Sequence, residues 1–177
     1  PAMVSVSVHN TLRSGTLDHD TMLDPDRTLG QLNRLFQMDD HGGNYFTIWY
    51  GVYQASTRTL RYAGAGHPPA LVLAPDGSPV TQLVSDAIPV GIQTEADFQT
   101  RSYAVPAGAD ILIYSDGAFE LTMADGRQWS LGEFAELHTR TAGAAEWTLD
   151  ALLDGLKDRS ESGLFDDDCT LVRLNFP

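Results

Sequence analysis

The sequence holds a single cysteine, Cys169, so no internal disulfide can form and a reducing compartment, the cytoplasm, is the expected setting. Cys169 sits in the strand-like run CTLVRL, which reads as a buried inert thiol rather than a nucleophile. Basic residues are also scarce: 11 Lys and Arg stand against 24 Asp and Glu, a net charge of −13. Partners bound through phosphate backbones need clustered cations, so nucleic acid is excluded. No apolar run approaches the length of a membrane helix, and no membrane partner is expected. The opening PAMVSVSVHN has neither a basic leader nor a long apolar stretch, which is not the pattern of a signal peptide. It starts without Met inside an ordered-looking element, so a trimmed chain is expected. Missing too are His/Cys sets with zinc spacing, a G-x-S-x-G elbow, and a Gly-rich loop between strand and helix.

What is present suits one compact globular domain over residues 1–177, with 42% hydrophobic and 20% charged residues. In the first segment Val4, Val6 and Val8 alternate as in a strand, while Val6 and Leu12 with Ala2 and Met3 could line a helix. Asp24-Pro25 reads as an N-cap followed by proline at the first helical position. Leu29, Leu32, Leu35 and Phe36 share one face of a predicted helix over 25–38, ended by DDHGGN. From Tyr45 the period becomes two. YFTIWYGVY and STRTLRYA form a predicted hairpin, and ALVLA and PVTQLV form a second around PDGS. FQTRSYAV, the almost wholly apolar ADILIYS, and the final CTLVRLNF are further predicted strands. Helical spacing returns over Leu131–Thr139 and Glu146–Arg159. Strands, then helices, then a returning strand describe an α+β layered domain.

Two carboxylate features stand out from the solvated acids. Asp116 follows an apolar strand directly and precedes Gly117, whose lack of a Cβ allows close backbone approach. Asp166, Asp167 and Asp168 stand together before the last strand, where like charges repel unless solvent or a cation compensates. Each taken alone is most simply a solvated turn. Together they are oxygen ligands of the kind Mg²⁺ and Mn²⁺ prefer. Asp18-His19-Asp20 and Asp39-Asp40-His41 read as polar loops, and the aromatics from Tyr45 to Tyr53, Trp49 included, as core.

In order and spacing, RYAGAGHPP at 61–69, Pro89-Val90-Gly91-Ile92, YSDGAFE and DDDCTLVRL resemble the SpoIIE-like bacterial branch of the PPM (type 2C) protein phosphatases. That resemblance implies an αββα sandwich of two antiparallel sheets flanked by helices, and a helical first segment. It implies two Mn²⁺ or Mg²⁺ ions held by Asp116 and Asp167, with Asp166 as the alternative register and Gly117 and Asp168 in support. In that branch a metal-bridging water, not a side chain, attacks a phosphoserine or phosphothreonine. The substrate it implies is an anti-sigma-factor antagonist, under control of an upstream receiver or sensor domain, and it allows a homodimer. A further bridging Asp and a Gly-His-Gly turn precede the first helix in that branch, and this sequence starts at Pro1-Ala2-Met3, after them. The first strands are therefore expected to be missing, with one weakly held ion or none unless Asp166 or Glu120 completes the shell. A non-catalytic binding or adaptor module is the competing expectation. His67 is expected to serve the structure of its loop, and Gly64 stands where many members of the branch carry Asn.

Overall fold

The computed structural model describes residues 2–76, 78–123, 125–142 and 148–177. Gly77 of the PDGS turn and Glu146, the predicted start of the last helix, lie outside the described residues. The chain forms two compact units, Pro1–Pro69 with Val84–Val105, and Ala70–Leu83 with Pro106–Pro177.

In the first unit, α1 (Ala2–Arg13) is helical, as the resemblance implies and the valine alternation does not. Val8 is buried, with Val4 and Leu12 packed beside it, while Val6 is 60% exposed. That is a period of four, not two. The segment read as a polar loop at 18–20 contains a short helix, α2 (His19–Met22). Asp18 caps it, accepting from the backbone N–H and the hydroxyl of Thr21 at 2.8 Å each. Those two bonds hold the Asp18 carboxyl below its usual pKa.

α3 (Pro25–Leu35) carries proline in its first turn as expected, but ends three residues early because Phe36 leaves helical geometry at φ −125°. Asp24 occupies the N-cap position without capping by its side chain. Its carboxylate goes to Arg61 at 2.7 Å and Arg27 at 3.5 Å. The Thr100 hydroxyl takes over, accepting from the Asp26 N–H at 3.0 Å. β1 (Ile48–Gln54), β2 (Thr59–Ala65) and β5 (Arg101–Ala104) form an antiparallel sheet in the order β1-β2-β5. Leu29, Leu32 and Phe36 of the α3 region pack with Ala63, Ala65 and Val90 in this unit's core. The aromatic run is only partly core: Trp49 stacks on Tyr62 at 5.6 Å, but Tyr45 is 56% exposed.

In the second unit, β3 (Ala70–Leu73), β4 (Thr81–Leu83), β6 (Ala109–Tyr114) and β7 (Leu171–Phe176) form an antiparallel sheet in the order β4-β3-β6-β7. The apolar β6 is an interior strand, as its composition predicts. α4 (Leu131–Ala142) opens with Ser130 and Glu133 in reciprocal bonds, Ser130 N–H to the Glu133 carboxylate at 2.9 Å and Glu133 N–H to the Ser130 hydroxyl at 3.2 Å. α5 (Leu149–Lys157) is capped by Thr148, which accepts from Ala151 N–H at 3.1 Å. Leu112, Tyr114, Leu121, Phe134, Leu152 and Leu156 fill the core of this unit.

Candidate metal centre

β6 and β7 are antiparallel neighbours with Tyr114 opposite Leu171. The residues after Tyr114 and those before Leu171 therefore leave the sheet at the same end. This brings Ser115-Asp116-Gly117 beside the Asp166–Thr170 loop. Asp116 opens a 3-10 turn, Asp116–Ala118. Ser115 N–H donates to Thr170 O at 3.0 Å. The Ser115 hydroxyl donates to Asp168 O at 2.8 Å and accepts from Thr170 N–H at 2.9 Å. A Cβ on Gly117 would lie 2.7 Å from Asp168 O and 3.1 Å from Asp167 O. Only glycine lets the acidic loop's backbone lie this close.

Both carboxylates that the resemblance assigns to metal are exposed. Asp116 Oδ1 accepts from Gly117 N–H at 3.0 Å and Asp167 Oδ1 from Asp168 N–H at 2.6 Å. Neither forms an ion pair among the described residues. Asp166 differs: its Oδ2 accepts from Thr122 N–H at 2.8 Å, tying the loop to the segment after the 3-10 turn. The Asp168 contacts with Ser115 and Gly117 run through its backbone carbonyl. Glu120 is exposed and its N–H donates to Asp116 O at 2.9 Å. Among the described residues no three His, Cys, Asp or Glu gather as a metal-holding group. Two hard oxygen donors with no cationic partner fit part of the shell of Mg²⁺ or Mn²⁺, not a whole one. Cys169, half-buried against the core of its unit, has its thiol pKa raised by burial, as befits an inert side chain.

The glycine-rich motif of the first unit is built differently. Gly66, at φ +65°, would place a Cβ 2.5 Å from the Pro89 ring, and its N–H donates to Ala87 O at 2.8 Å. Gly91, at φ +98°, would place one 2.5 Å from Phe36 O, and its N–H donates to the buried Asn33 Oδ1 at 2.8 Å. Asn33 also donates to Gln93 O at 2.8 Å. At Gly64 the side-chain space is filled by Ser85, whose hydroxyl accepts from Gly64 N–H at 2.9 Å and donates to Gly64 O at 2.7 Å. His67 is half-buried with Nδ1 2.8 Å from Pro68 O, a contact within its own loop. Asp39 and Asp40 are exposed in a turn, where His41 Nε2 lies 3.0 Å from Leu35 O.

The family described as stage II sporulation protein E (SpoIIE) matches residues 1–177. The chain belongs to the SpoIIE family. Phosphoserine phosphatase RsbP of Bacillus subtilis (strain 168) is 28% identical over 125 residues, 68% of this chain and 30% of RsbP. Phosphoserine phosphatase RsbU of the same organism is 24% identical over 107 residues, 60% of this chain and 32% of RsbU. This SpoIIE-family chain thus spans about a third of the curated relatives it matches, by the 30% and 32% of their lengths covered. Among solved structures, the RsbU and RsbW domains of a Mycobacterium tuberculosis protein superpose with a TM-score of 0.77 at 25% identity, covering 99% of this chain and 49% of that one. The SiaA-PP2C domain of Pseudomonas aeruginosa gives 0.81 at 15% identity, covering 99% and 70%. RsbX, solved in complex with magnesium, gives 0.64 at 12% identity, covering 99% and 73%. The SpoIIE-family chain thus shares the fold of the SiaA-PP2C domain, α+β with two antiparallel sheets and helices.

Proposed function

We propose that this SpoIIE-family domain removes phosphate from a phosphoserine or phosphothreonine of a regulatory protein, using Mn²⁺ or Mg²⁺ held in part by Asp116 and Asp167. One observation carries the reading: two loops distant in sequence are bonded side by side, and each presents an exposed carboxylate without a cationic partner among the described residues. When bound, divalent ions supply Lewis acidity that lowers the pKa of water and neutralises phosphoryl oxygens. The chain's own part is to hold the carboxylates in fixed relation. Asp116 is set by the end of β6 and the 3-10 turn, and Asp167 by the loop that Ser115 and Gly117 contact. The names of RsbP and RsbU support the phosphoserine substrate. The pairing of RsbU with RsbW domains in one relative supports a substrate of the anti-sigma-factor-antagonist type. Control by a receiver or sensor domain in the full-length protein belongs to the same reading.

A second reading, a phosphatase-like module that binds a regulator without turnover, is favoured by one observation: no three metal-binding side chains gather among the described residues. Hydrolysis of p-nitrophenyl phosphate and of a phosphorylated antagonist by the full-length protein, with and without Mn²⁺, separates the two. Metal-dependent turnover is expected. Inactivity under every divalent ion would overturn the catalytic reading.

A further inference from the structure

We infer that Ser115 and Asp166 are positioning residues, a two-point clasp that sets where Asp167 stands relative to Asp116. The inference rests on the proposed metal-dependent reading of the site. The acidic loop has no regular structure of its own between α5 and β7, and an unsupported loop with three adjacent carboxylates would spread by repulsion. Three hydrogen bonds at two anchor points oppose that. At the C-terminal side, the Ser115 hydroxyl acts as donor to Asp168 O at 2.8 Å and acceptor from Thr170 N–H at 2.9 Å, so it spans the residues that follow Asp167. At the N-terminal side, Asp166 Oδ2 accepts from Thr122 N–H at 2.8 Å. Asp167 lies between the two anchors, its side chain accepting from the next N–H at 2.6 Å.

The clasp gives the neighbouring aspartates different work. Asp166 needs an oxygen that accepts a hydrogen bond, which Asn also offers. Asp167 needs charge, which Asn lacks. Ser115 needs a hydroxyl, whose one oxygen both donates and accepts; Thr offers the same and Ala does not. Groups that orient metal ligands from behind typically affect affinity or activity by about 10- to 100-fold when removed.

The experiment is calorimetric titration of Mn²⁺ into the full-length protein and into Ser115→Ala, Ser115→Thr, Asp166→Ala, Asp166→Asn and Asp167→Asn, each first checked for folding by circular dichroism. Ser115→Ala and Asp166→Ala are expected to weaken Mn²⁺ binding by about 10- to 100-fold. Ser115→Thr and Asp166→Asn should bind within a few-fold of wild type, and Asp167→Asn should lose binding. Folded Ser115→Ala that binds Mn²⁺ like wild type would overturn the clasp while leaving the metal reading intact. Asp166→Asn failing as completely as Asp167→Asn would also overturn it, by showing that Asp166 acts through its charge. Wild-type protein that binds no Mn²⁺ would overturn the metal reading itself, and the clasp with it.

Discussion

The glycine-rich loops of the first unit and the acidic loops of the second match the same family, yet they are built for opposite ends. Around Gly66 and Gly91 the backbone N–H groups are bonded, a Cβ would strike neighbouring atoms, and Asn33 is buried with its amide bonded on both sides. Around Asp116 and Asp167 the backbone is also held by hydrogen bonds, but the carboxylates stand in solvent with no ion-pair partner among the described residues. A motif whose polar groups are all satisfied internally serves the fold. One that holds charged groups rigid and leaves them unpaired has a ligand still to meet.

The comparison breaks most visibly if a glycine of the first unit proves dispensable. Gly91→Ala combines a left-handed backbone with a Cβ 2.5 Å from Phe36 O. It should cost about 3–4 kcal/mol of stability, from backbone strain plus overpacking. Denaturant titration checks the loss, and turnover per folded molecule should stay near wild type. A dead but fully stable Gly91→Ala protein would put that loop in the chemistry.

Acid sensitivity offers a second contrast. His138 is fully buried on α4. Burial first of all, with Asp110 pulling upward and Arg173 downward, lowers its pKa from 6.5 to about 4. The unfolded chain therefore binds a proton between these values that the native state refuses. The His138 contribution is complete above about pH 6.5 and declines as pH falls toward 4, by on the order of 3 kcal/mol in all. Urea midpoints across pH 4–7 should show the decline, and His138→Leu should flatten it. An equally steep His138→Leu profile would assign the effect elsewhere.

His67→Ala is the smallest of the three. It removes the contact to Pro68 O and should cost about 1–2 kcal/mol, with turnover close to wild type at saturating Mn²⁺. A stable His67→Ala protein that has lost turnover would make His67 part of the chemistry.

Much of the fold was legible because the change of period at 45 separates the strands from α3, although in α1 the alternating valines left strand and helix open and the resemblance decided. What stayed hidden depends on partners distant in sequence. The early end of α3 and the loss of Asp24 as a cap follow from Phe36 geometry and from Arg61, which sits on β2. The α2 helix was overlooked although Asp18 and Thr21 carry a cap signal, and the Ser130–Glu133 capping box was readable in the same way. At the candidate site, the types and order of the acids could be read. Their adjacency was an expectation carried by the resemblance, and its means were not legible: the β6–β7 register and Ser115, a residue with no conspicuous chemistry.

The central claim is that Asp116 and Asp167 hold a cation, and the melting temperature of the full-length protein with rising Mn²⁺ tests it most directly. A ligand that binds only the native state stabilises it by RT ln(1 + [L]/Kd), about 2.7 kcal/mol at a hundredfold excess over Kd. The wild-type melting temperature should climb with Mn²⁺. Asp116→Asn and Asp167→Asn should melt at or slightly above the wild-type temperature without metal, since each relieves repulsion, and should stay there as Mn²⁺ is added. Turnover should fall by orders of magnitude in both. An undiminished Mn²⁺ shift in either folded variant would contradict the account.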